Sequence, residues 1–330
     1  APGFGPASRY IFIGQNGVWG NITVQDGSDL WRLSVLMGEE RVDMEAFDPH
    51  HWIAKAFGDT VPDYRLISAR PWRRSATVAD KYRNKSVFLA GDVAHTMSNT
   101  GGFGMNTGLS DVVNLGWKLA ANLRGWGGEA LLDSYQFERQ PIAHRNIAFA
   151  DEILRHWQIG SDCGPIHDSG EEGEAARSTL SASLLSGTFS EWGTMGAALG
   201  YGYEDSPVSI DDGSDPVPDA VDTYMPQARP GARAPHFWLD EERSVLDLFK
   251  TEYVLLQFNE AADTAPLAEA AKAKGVPLAV VQVAEVAARD LYEADLVLVR
   301  PDGHVAWRGD SLGSQDMNKL IDRVCGAGRI

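Results

Sequence analysis

The chain has 330 residues, of which 44% are hydrophobic and 23% are charged. This composition is ordinary for a globular protein and argues against disorder, collagen-like repeats and coiled coils. The 29 basic and 46 acidic residues give a formal net charge of −17. Such a charge repels nucleic acid and anionic membranes unless a local basic stripe exists, and the sequence shows none. The length predicts roughly two domains.

The two cysteines, Cys163 and Cys325, exclude a disulfide framework, a cysteine-rich zinc site and a CxxC redox pair. No apolar run approaches the roughly 20 residues of a membrane-spanning helix. The first ten residues lack the basic start and apolar run of a secretory signal. We therefore expect a cytoplasmic protein with no metal, no membrane contact and no nucleic-acid partner.

The first 80 residues predict an antiparallel sheet with one helix. Three β-rich stretches are separated by Gly-Gln-Asn-Gly and Asp-Gly turns, which is typical of a meander. The predicted elements are strands over 10–13, 22–24 and 30–37, a helix over 43–57, and further strands over 64–69 and 75–79. Nothing in this region points to catalysis.

A strand, a Gly-rich loop and a helix follow. The apolar run Val87–Ala90 predicts a strand buried on both faces of a sheet, and it ends at Gly91-Asp92. A polar loop and the cluster Gly101–Gly104 lead into a helical pattern. Its apolar residues are Val112, Leu115, Leu119 and Leu123. A second helix is predicted over 129–153, with Pro141 as a kink or boundary.

Most of the negative charge is local, because residues 151–222 contain 15 acidic and two basic residues. The part Asp211–Pro218 is rich in Gly, Ser, Asp and Pro. This composition is typical of an exposed linker. We interpret residues 161–225 as an acidic connector before a last domain.

Residues 226–330 predict the element order β-α-β-β-β-α. The strands are predicted over 253–258, 276–283, 296–300 and 304–308, and the helices over 265–274 and 314–324. Ser314 is the predicted cap of the last helix. This order matches a thioredoxin-like fold, but Asn259-Glu260-Ala261-Ala262 stands where thioredoxins keep their cysteine pair, which excludes disulfide chemistry.

The segment Val87–Ala120 has the chemistry of a site for a flat ligand. Asp92 follows the predicted buried strand, where ligands of α/β sheets bind, and its carboxylate can accept a ligand hydroxyl. Gly101, Gly102 and Gly104 let the backbone approach a flat ligand closely. The next helix directs its free amides and positive dipole end at the loop. An electron-rich planar ring fits this arrangement.

This segment resembles the second flavin-binding motif of the FAD-dependent aromatic hydroxylases, the para-hydroxybenzoate hydroxylase and phenol hydroxylase group. The matching positions are Gly91, Asp92, Ala94, His95, Gly101–Asn106, Asp111 and Trp117–Ala120. The resemblance implies that Asp92 binds a ribityl hydroxyl of FAD and that the backbone of Gly102–Thr107 lies along the pyrimidine edge of the flavin. The implied cofactor-binding residues are Gly91, Asp92, Gly101, Gly102, Gly104, Met105, Asn106 and Thr107.

The resemblance extends over most of the chain, through residues 132–135, 138–141, 229–236 and 296–309. It implies an α/β fold class with part of a Rossmann-type FAD-binding domain, an antiparallel substrate-domain sheet and a C-terminal thioredoxin-like domain. The implied divisions are 1–80 for part of the substrate-binding sheet, 81–160 for the C-terminal part of the FAD-binding domain, 161–225 for the connector and 226–330 for the thioredoxin-like domain.

Two features depart from the family pattern. Ser98-Asn99 stands where the family often has Pro-Pro, and Ser98, Asn99 and Thr100 are therefore the loop candidates for contact with the reactive flavin carbon and the substrate. No Gly-x-Gly-x-x-Gly follows an early strand, and Gly102–Thr107 lacks the third glycine. We expect the missing fingerprint in an N-terminal segment that precedes residue 1, in the same protein or on a separate chain.

The resemblance implies an FAD-dependent monooxygenase with NADPH or NADH as co-substrate. In such enzymes reduced FAD takes up O₂ as a C4a-hydroperoxide, whose distal oxygen is transferred to a phenolic or polyketide-like aromatic ring. The implied partners are an aromatic small-molecule substrate and a second copy of the chain in a homodimer. Two alternatives stay open: a non-catalytic dimerisation or binding module on a degenerate flavin scaffold, and a flavin oxygenase for Baeyer-Villiger insertion or epoxidation.

Overall fold

The computed structural model describes residues 8–38, 41–157, 163–203 and 205–328. The chain divides into two compact units. The first unit comprises Ala1–Arg74 and Glu152–Phe189, and the second comprises Ser75–Asp151 and Ser190–Ile330. Among the described residues, no helix combines the length and the apolar character that a membrane crossing requires.

The first unit contains the predicted meander. Strands β1 (Arg9–Gly14), β2 (Gly17–Val24) and β3 (Trp31–Val35) form an antiparallel sheet in the order β1-β2-β3, which confirms the prediction. The ring of Trp19 on β2 stacks on Phe12 of β1, with centroids 4.8 Å apart. Aromatic packing between neighbouring strands therefore stabilises this small sheet.

The helix predicted over 43–57 is confirmed except for its start, and the strand predicted over 64–69 is wrong. Helix α1 spans Pro49–Phe57 rather than 43–57, because the Asp48 carboxylate accepts a hydrogen bond from the His50 amide at 2.9 Å and caps the helix there. Residues 64–69 form no regular element. Ile67 is 67% exposed, so this stretch buries too little apolar surface to be held as a strand.

The first strands of the second unit are only two residues long. They pair antiparallel, β4 (Thr77–Val78) with β7 (His95–Thr96) and β5 (Arg83–Asn84) with β6 (Val87–Phe88). The predicted strand over 75–79 is thus reduced to β4. The prediction that Val87–Ala90 is a strand buried on both faces is wrong, because β6 ends at Phe88 and Val87 is 63% exposed.

Two long helices, α2 (Phe103–Leu123) and α3 (Glu129–Trp157), follow this short-stranded region. Leu115 of α2 is buried, whereas Leu123 is 85% exposed, so the predicted apolar stripe is covered only in part. Helix α3 does not end at the predicted boundary Pro141. The proline lies on an exposed position of the helix surface.

The acidic segment also contains helices. Helix α4 spans Glu171–Trp192, and helix α5 spans Met195–Leu199. Three glutamates lie in the first turn of α4, where acidic side chains interact favourably with the helix dipole. The part Asp211–Pro218 forms no helix or strand.

A four-stranded sheet with helices forms the C-terminal part of the second unit. Its elements are β8 (Tyr253–Gln257), α6 (Ala265–Ala273), β9 (Leu278–Gln282), α7 (Val286–Tyr292), β10 (Leu296–Val299), β11 (Val305–Gly309) and α8 (Met317–Val324). The strand order is β11-β10-β8-β9, with β8 and β9 parallel and the other pairs antiparallel. The predicted element order lacks α7, a helix of seven residues.

Alternate residues of β8 belong to two different hydrophobic cores. Tyr253 and Leu255 pack in the core that contains α6 and α8, and Val254 and Leu256 pack in the core that contains Tyr292 of α7. This alternation is the period of two of a strand buried on both faces. The run of apolar residues in β8 thus reflects burial on both sides.

The start of α8 differs from the prediction. Its cap is Asp316, which accepts hydrogen bonds from the amides of Asn318 at 3.0 Å and Lys319 at 3.3 Å. The predicted cap, Ser314, lies two residues earlier. A carboxylate immediately before the first helical residue satisfies two free amides, which a side chain at position 314 does not.

Candidate functional site

The predicted cofactor residues lie in a turn after β6 and at the N-terminus of α2. Gly91–Val93 form a short 3₁₀ turn, and Asp92 in its middle is exposed. Gly101 and Gly102 have φ angles of 75° and 70°. This left-handed backbone favours glycine at both positions, because a Cβ would be strained there.

The N-terminus of α2 is open to a ligand. No side chain caps the helix, and its first turn contains no acidic residue, so amide hydrogens and the positive dipole end face the loop. A Cβ built on Gly102 would meet no atom within 4 Å, and one built on Gly104 would meet only Met97 Cγ, at 3.8 Å. Met105 is 74% exposed, and Asn106 is exposed as well. A flat group with acceptor atoms can therefore approach this main chain, as the edge of a flavin would.

Thr107 differs from the other predicted residues of the α2 N-terminus because its side chain is buried. Its hydroxyl donates to the carbonyl of Phe103 at 2.8 Å, and Asn146 Nδ2 donates to the hydroxyl at 2.8 Å. The side chain of Thr107 thus fixes α2 against α3 and does not reach the exposed loop.

The three loop candidates do not share one environment. Ser98 and Thr100 are buried, and their hydroxyls lie 2.7 Å apart in a hydrogen bond. The Thr100 amide also donates to Ser98 Oγ at 3.3 Å. Of the three side chains, only that of Asn99 is exposed.

A buried ion cluster lies directly behind the Gly91 turn. Asp111 of α2 accepts hydrogen bonds at Oδ2 from the Gly91 amide at 3.1 Å and from His95 Nε2 at 2.7 Å, and at Oδ1 from Arg139 Nε at 2.8 Å. Burial alone would raise the pKa of Asp111, but the His95 hydrogen bond and the Arg139 charge lower it below its usual value. Asp111 is therefore an ionised carboxylate that holds the turn, α2 and α3 together.

A second buried ion cluster joins α2 and α3 to the turn between β10 and β11. Glu138 of α3 accepts hydrogen bonds from Lys118 Nζ at 2.6 Å and from both Nη atoms of Arg300, at 2.7 and 2.9 Å. Asp302 accepts from Arg300 Nη2 at 2.6 Å and from Trp117 Nε1 at 3.0 Å. All four charged side chains are at most 2% exposed, and their formal charges cancel.

The pKa values in this second cluster follow from burial and from the paired charges. Burial lowers the pKa of Lys118 to about 8, although the Glu138 charge opposes the shift. Burial alone would raise the pKa values of Glu138 and Asp302, but the Arg300 charge holds both well below their usual values. Both carboxylates stay ionised at neutral pH.

Sequence reasoning missed both ion clusters. Asp111 and Arg139 are 28 positions apart, and Glu138 and Arg300 are 162 positions apart. The local pattern places these residues in helices and in a hairpin turn but does not pair them. A usable signal is the charged residue Lys118, which lies between apolar positions of α2.

Two family models match most of the chain. A family model described as an FAD binding domain matches residues 23–150, and a model of the C-terminal region of aromatic-ring hydroxylases matches residues 227–328. The chain belongs to the FAD-dependent aromatic hydroxylase family. This confirms the resemblance identified from Val87–Ala120.

Members of this family are similar over most of the chain. The FAD-dependent monooxygenase apdD of Emericella nidulans is 36% identical over 271 residues, covering 77% of this chain and 43% of that protein. A putative polyketide hydroxylase of Streptomyces halstedii is 37% identical over 279 residues, covering 78% of this chain and 46% of that protein. RebC with bound 7-carboxy-K252c, soaked with chromopyrrolic acid, has a TM-score of 0.83 at 38% identity, covering 93% of this chain and 57% of RebC. The chain thus spans about half the length of these relatives.

Proposed function

We propose that this chain forms part of the FAD site of a monooxygenase that hydroxylates a phenolic or polyketide-like aromatic substrate with NAD(P)H and O₂. The observation that carries the proposal is the exposed Asp92 turn, which packs against α2 at Gly108, together with the uncapped N-terminus of that helix, within a segment of this family. FAD supplies the redox chemistry that activates dioxygen, which amino-acid side chains do not provide.

The residues of the chain bind and orient the cofactor in this proposal. The Asp92 carboxylate accepts a hydrogen bond from a ribityl hydroxyl, since it is exposed and its oxygens are hydrogen-bond acceptors. The amides at the start of α2 donate to acceptor atoms on the pyrimidine edge of the flavin. The open space beside Gly102 and Gly104 lets the ring system approach them.

We propose that the adenine and pyrophosphate of FAD bind to an N-terminal segment outside these 330 residues, in the same protein or on a second chain. Two observations support this. The sequence contains no Gly-x-Gly-x-x-Gly after an early strand. In addition, α2 has an exposed apolar surface, formed by Leu109, Val112 and Val113, which are 57–60% exposed. An additional segment that binds beside the flavin can cover this surface.

We also propose that the C-terminal region is a thioredoxin-like domain without redox activity. The parallel pair β8–β9, the antiparallel strands β10 and β11, and the flanking helices support this fold. Asn259-Glu260-Ala261-Ala262 follows β8 and contains no thiol. Dithiol exchange at this position is therefore excluded.

The test is the colour and the oxygen uptake of the complete purified protein. We expect flavin absorbance in the visible range and NAD(P)H-driven O₂ consumption that phenols or aromatic polyketides stimulate. Asp92→Ala should weaken FAD binding about tenfold, as expected for one lost hydrogen bond to a charged acceptor. Asp80→Ala, which removes an exposed carboxylate elsewhere in the same unit, should leave FAD binding unchanged.

Other outcomes point to the alternatives. A colourless protein that binds no FAD would contradict the proposal and favour a binding module on a degenerate scaffold. A yellow protein that inserts oxygen beside a ketone or into an alkene, with no phenol hydroxylation, would favour Baeyer-Villiger or epoxidation chemistry.

A further inference from the structure

Asp111 forms a hydrogen bond with the main chain of Gly91, immediately before Asp92. Its side chain is fully buried, and its Oδ2 accepts the hydrogen bond from the Gly91 amide at 3.1 Å. The same oxygen accepts from His95 at 2.7 Å, and Arg139 binds the other oxygen at 2.8 Å. These bonds leave the Asp111 carboxylate in one orientation, with the Gly91 turn attached to it.

A glycine on the same face of α2 brings the helix close to that turn. Gly108 lies three residues before Asp111, so the two share one side of the helix. A Cβ built on Gly108 would lie 3.1 Å from Gly91 Cα, closer than ordinary van der Waals contact, and its neighbour there is backbone. A side chain at position 108 would therefore require α2 and the turn to separate by a few tenths of an ångström.

The α2 N-terminus is about 12 Å along the helix from Asp111, at a rise of about 1.5 Å for each of the eight steps from Phe103 to Asp111. Helix α2 is rigid and is held against the Gly91–Val93 turn at Gly108 and Asp111. The distance between Asp92 and the first amides of the helix is therefore fixed. A ligand that contacts both groups binds well only if this separation matches its own dimensions.

We propose that Asp111 and Gly108 are positioning residues that set the separation between Asp92 and the N-terminal amides of α2, and through it the affinity for FAD. This inference rests on the function proposed above. Neither residue contacts the flavin in this account. Both act on the Gly91–Val93 turn, Asp111 by hydrogen bonding and Gly108 by close packing.

The experiment is a double-mutant cycle on FAD affinity, measured by fluorescence titration of the complete protein after flavin removal. Asp111→Asn and Gly108→Ala should each raise the Kd for FAD about tenfold or more. In an Asp92→Ala background each should change the Kd by less than about twofold, because the contact that they position is already absent. The visible absorbance spectrum of bound flavin should shift in both single variants.

Two matched variants separate positioning from a general loss of stability. Asp302→Asn alters a carboxylate as deeply buried as Asp111 but bonded to Arg300 and Trp117 and not to Gly91. Gly116→Ala alters an exposed glycine of α2 whose Cβ would meet nothing within 4 Å. Both should retain the wild-type Kd for FAD, whatever their melting temperatures.

The outcomes are distinguishable. If the effects of Asp111→Asn and Gly108→Ala multiply fully with that of Asp92→Ala, or if Asp302→Asn weakens FAD as much as Asp111→Asn does, the positioning role is overturned while the proposed function stands. If Asp111→Asn does not fold, the Kd values of Gly108→Ala with and without Asp92→Ala test the positioning role, since Gly108→Ala leaves every charge in place. If the wild-type protein binds no FAD, the proposed function is wrong and this inference falls with it.

Discussion

Glu138 and Arg139 are adjacent in α3, both are fully buried, and their charges belong to two different ion clusters. Glu138 binds Lys118 of α2 and Arg300 of the C-terminal hairpin. Arg139 binds Asp111, which holds the Gly91 turn. This two-residue segment therefore links the proposed flavin turn to the C-terminal sheet within one compact unit.

Removal of the Glu138 charge should destabilise the protein strongly. Glu138→Gln leaves Lys118 and Arg300 buried with only Asp302 to balance them, and an uncompensated buried charge typically costs about 3–5 kcal/mol. Urea denaturation should show this loss as a lower transition midpoint. Glu129→Gln, in an ion pair whose carboxylate side chain is 67% exposed, should cost under about 1 kcal/mol. Equal effects of the two variants would contradict the role of burial.

Lys118 should make stability depend on alkaline pH. Its pKa is about 8 in the folded protein, against about 10.4 for an unfolded lysine. Between these values the unfolded state holds a proton that the folded state has lost, so the contribution of Lys118 to the unfolding free energy rises with pH, by up to about 1.4 kcal/mol per pH unit. At pH 7 and below, this contribution is constant and unfavourable. The difference in unfolding free energy between wild type and Lys118→Met should therefore change between pH 8 and about 10, and a flat difference would refute the shift.

A glycine at the start of α2 and a glycine in its interior should respond oppositely to alanine. Gly102→Ala places a Cβ on a backbone with φ 70° and should cost about 1–2 kcal/mol. Gly116→Ala lies in the exposed interior of α2 and should stabilise by about 0.5–1 kcal/mol, because alanine loses less backbone entropy. Thermal unfolding of the two variants measures both changes, and a stabilising Gly102→Ala would show that the left-handed turn is not formed.

Helix α8 should depend on Asp316 and not on Ser314. Asp316→Ala removes two hydrogen bonds to helix amides and should cost about 1 kcal/mol. Ser314→Ala should change the unfolding free energy by less than about 0.5 kcal/mol. Chemical denaturation of both variants distinguishes the structural cap from the predicted one, and the reverse order of effects would show that the helix begins earlier.

Local patterns predicted some of the fold well. The meander of β1–β3 follows from β-rich stretches separated by turn residues, and the predicted strand over 253–258 is confirmed as β8, because both signals act over a few positions. The strand predicted over Val87–Ala90 failed for a different reason. Apolar composition shows what a segment can bury, but whether anything covers it depends on the rest of the molecule.

The sequence by itself determined the family and the set of residues in the proposed flavin motif, because Asp92, the glycines and the first turn of α2 lie close together along the chain. The tertiary structure alone decided which groups support that motif. Asp111 reaches Gly91 across 20 positions, and Arg300 reaches Glu138 across 162. Buried charged side chains pair with the groups that the fold places within hydrogen-bonding distance. Local sequence patterns do not predict which groups these are.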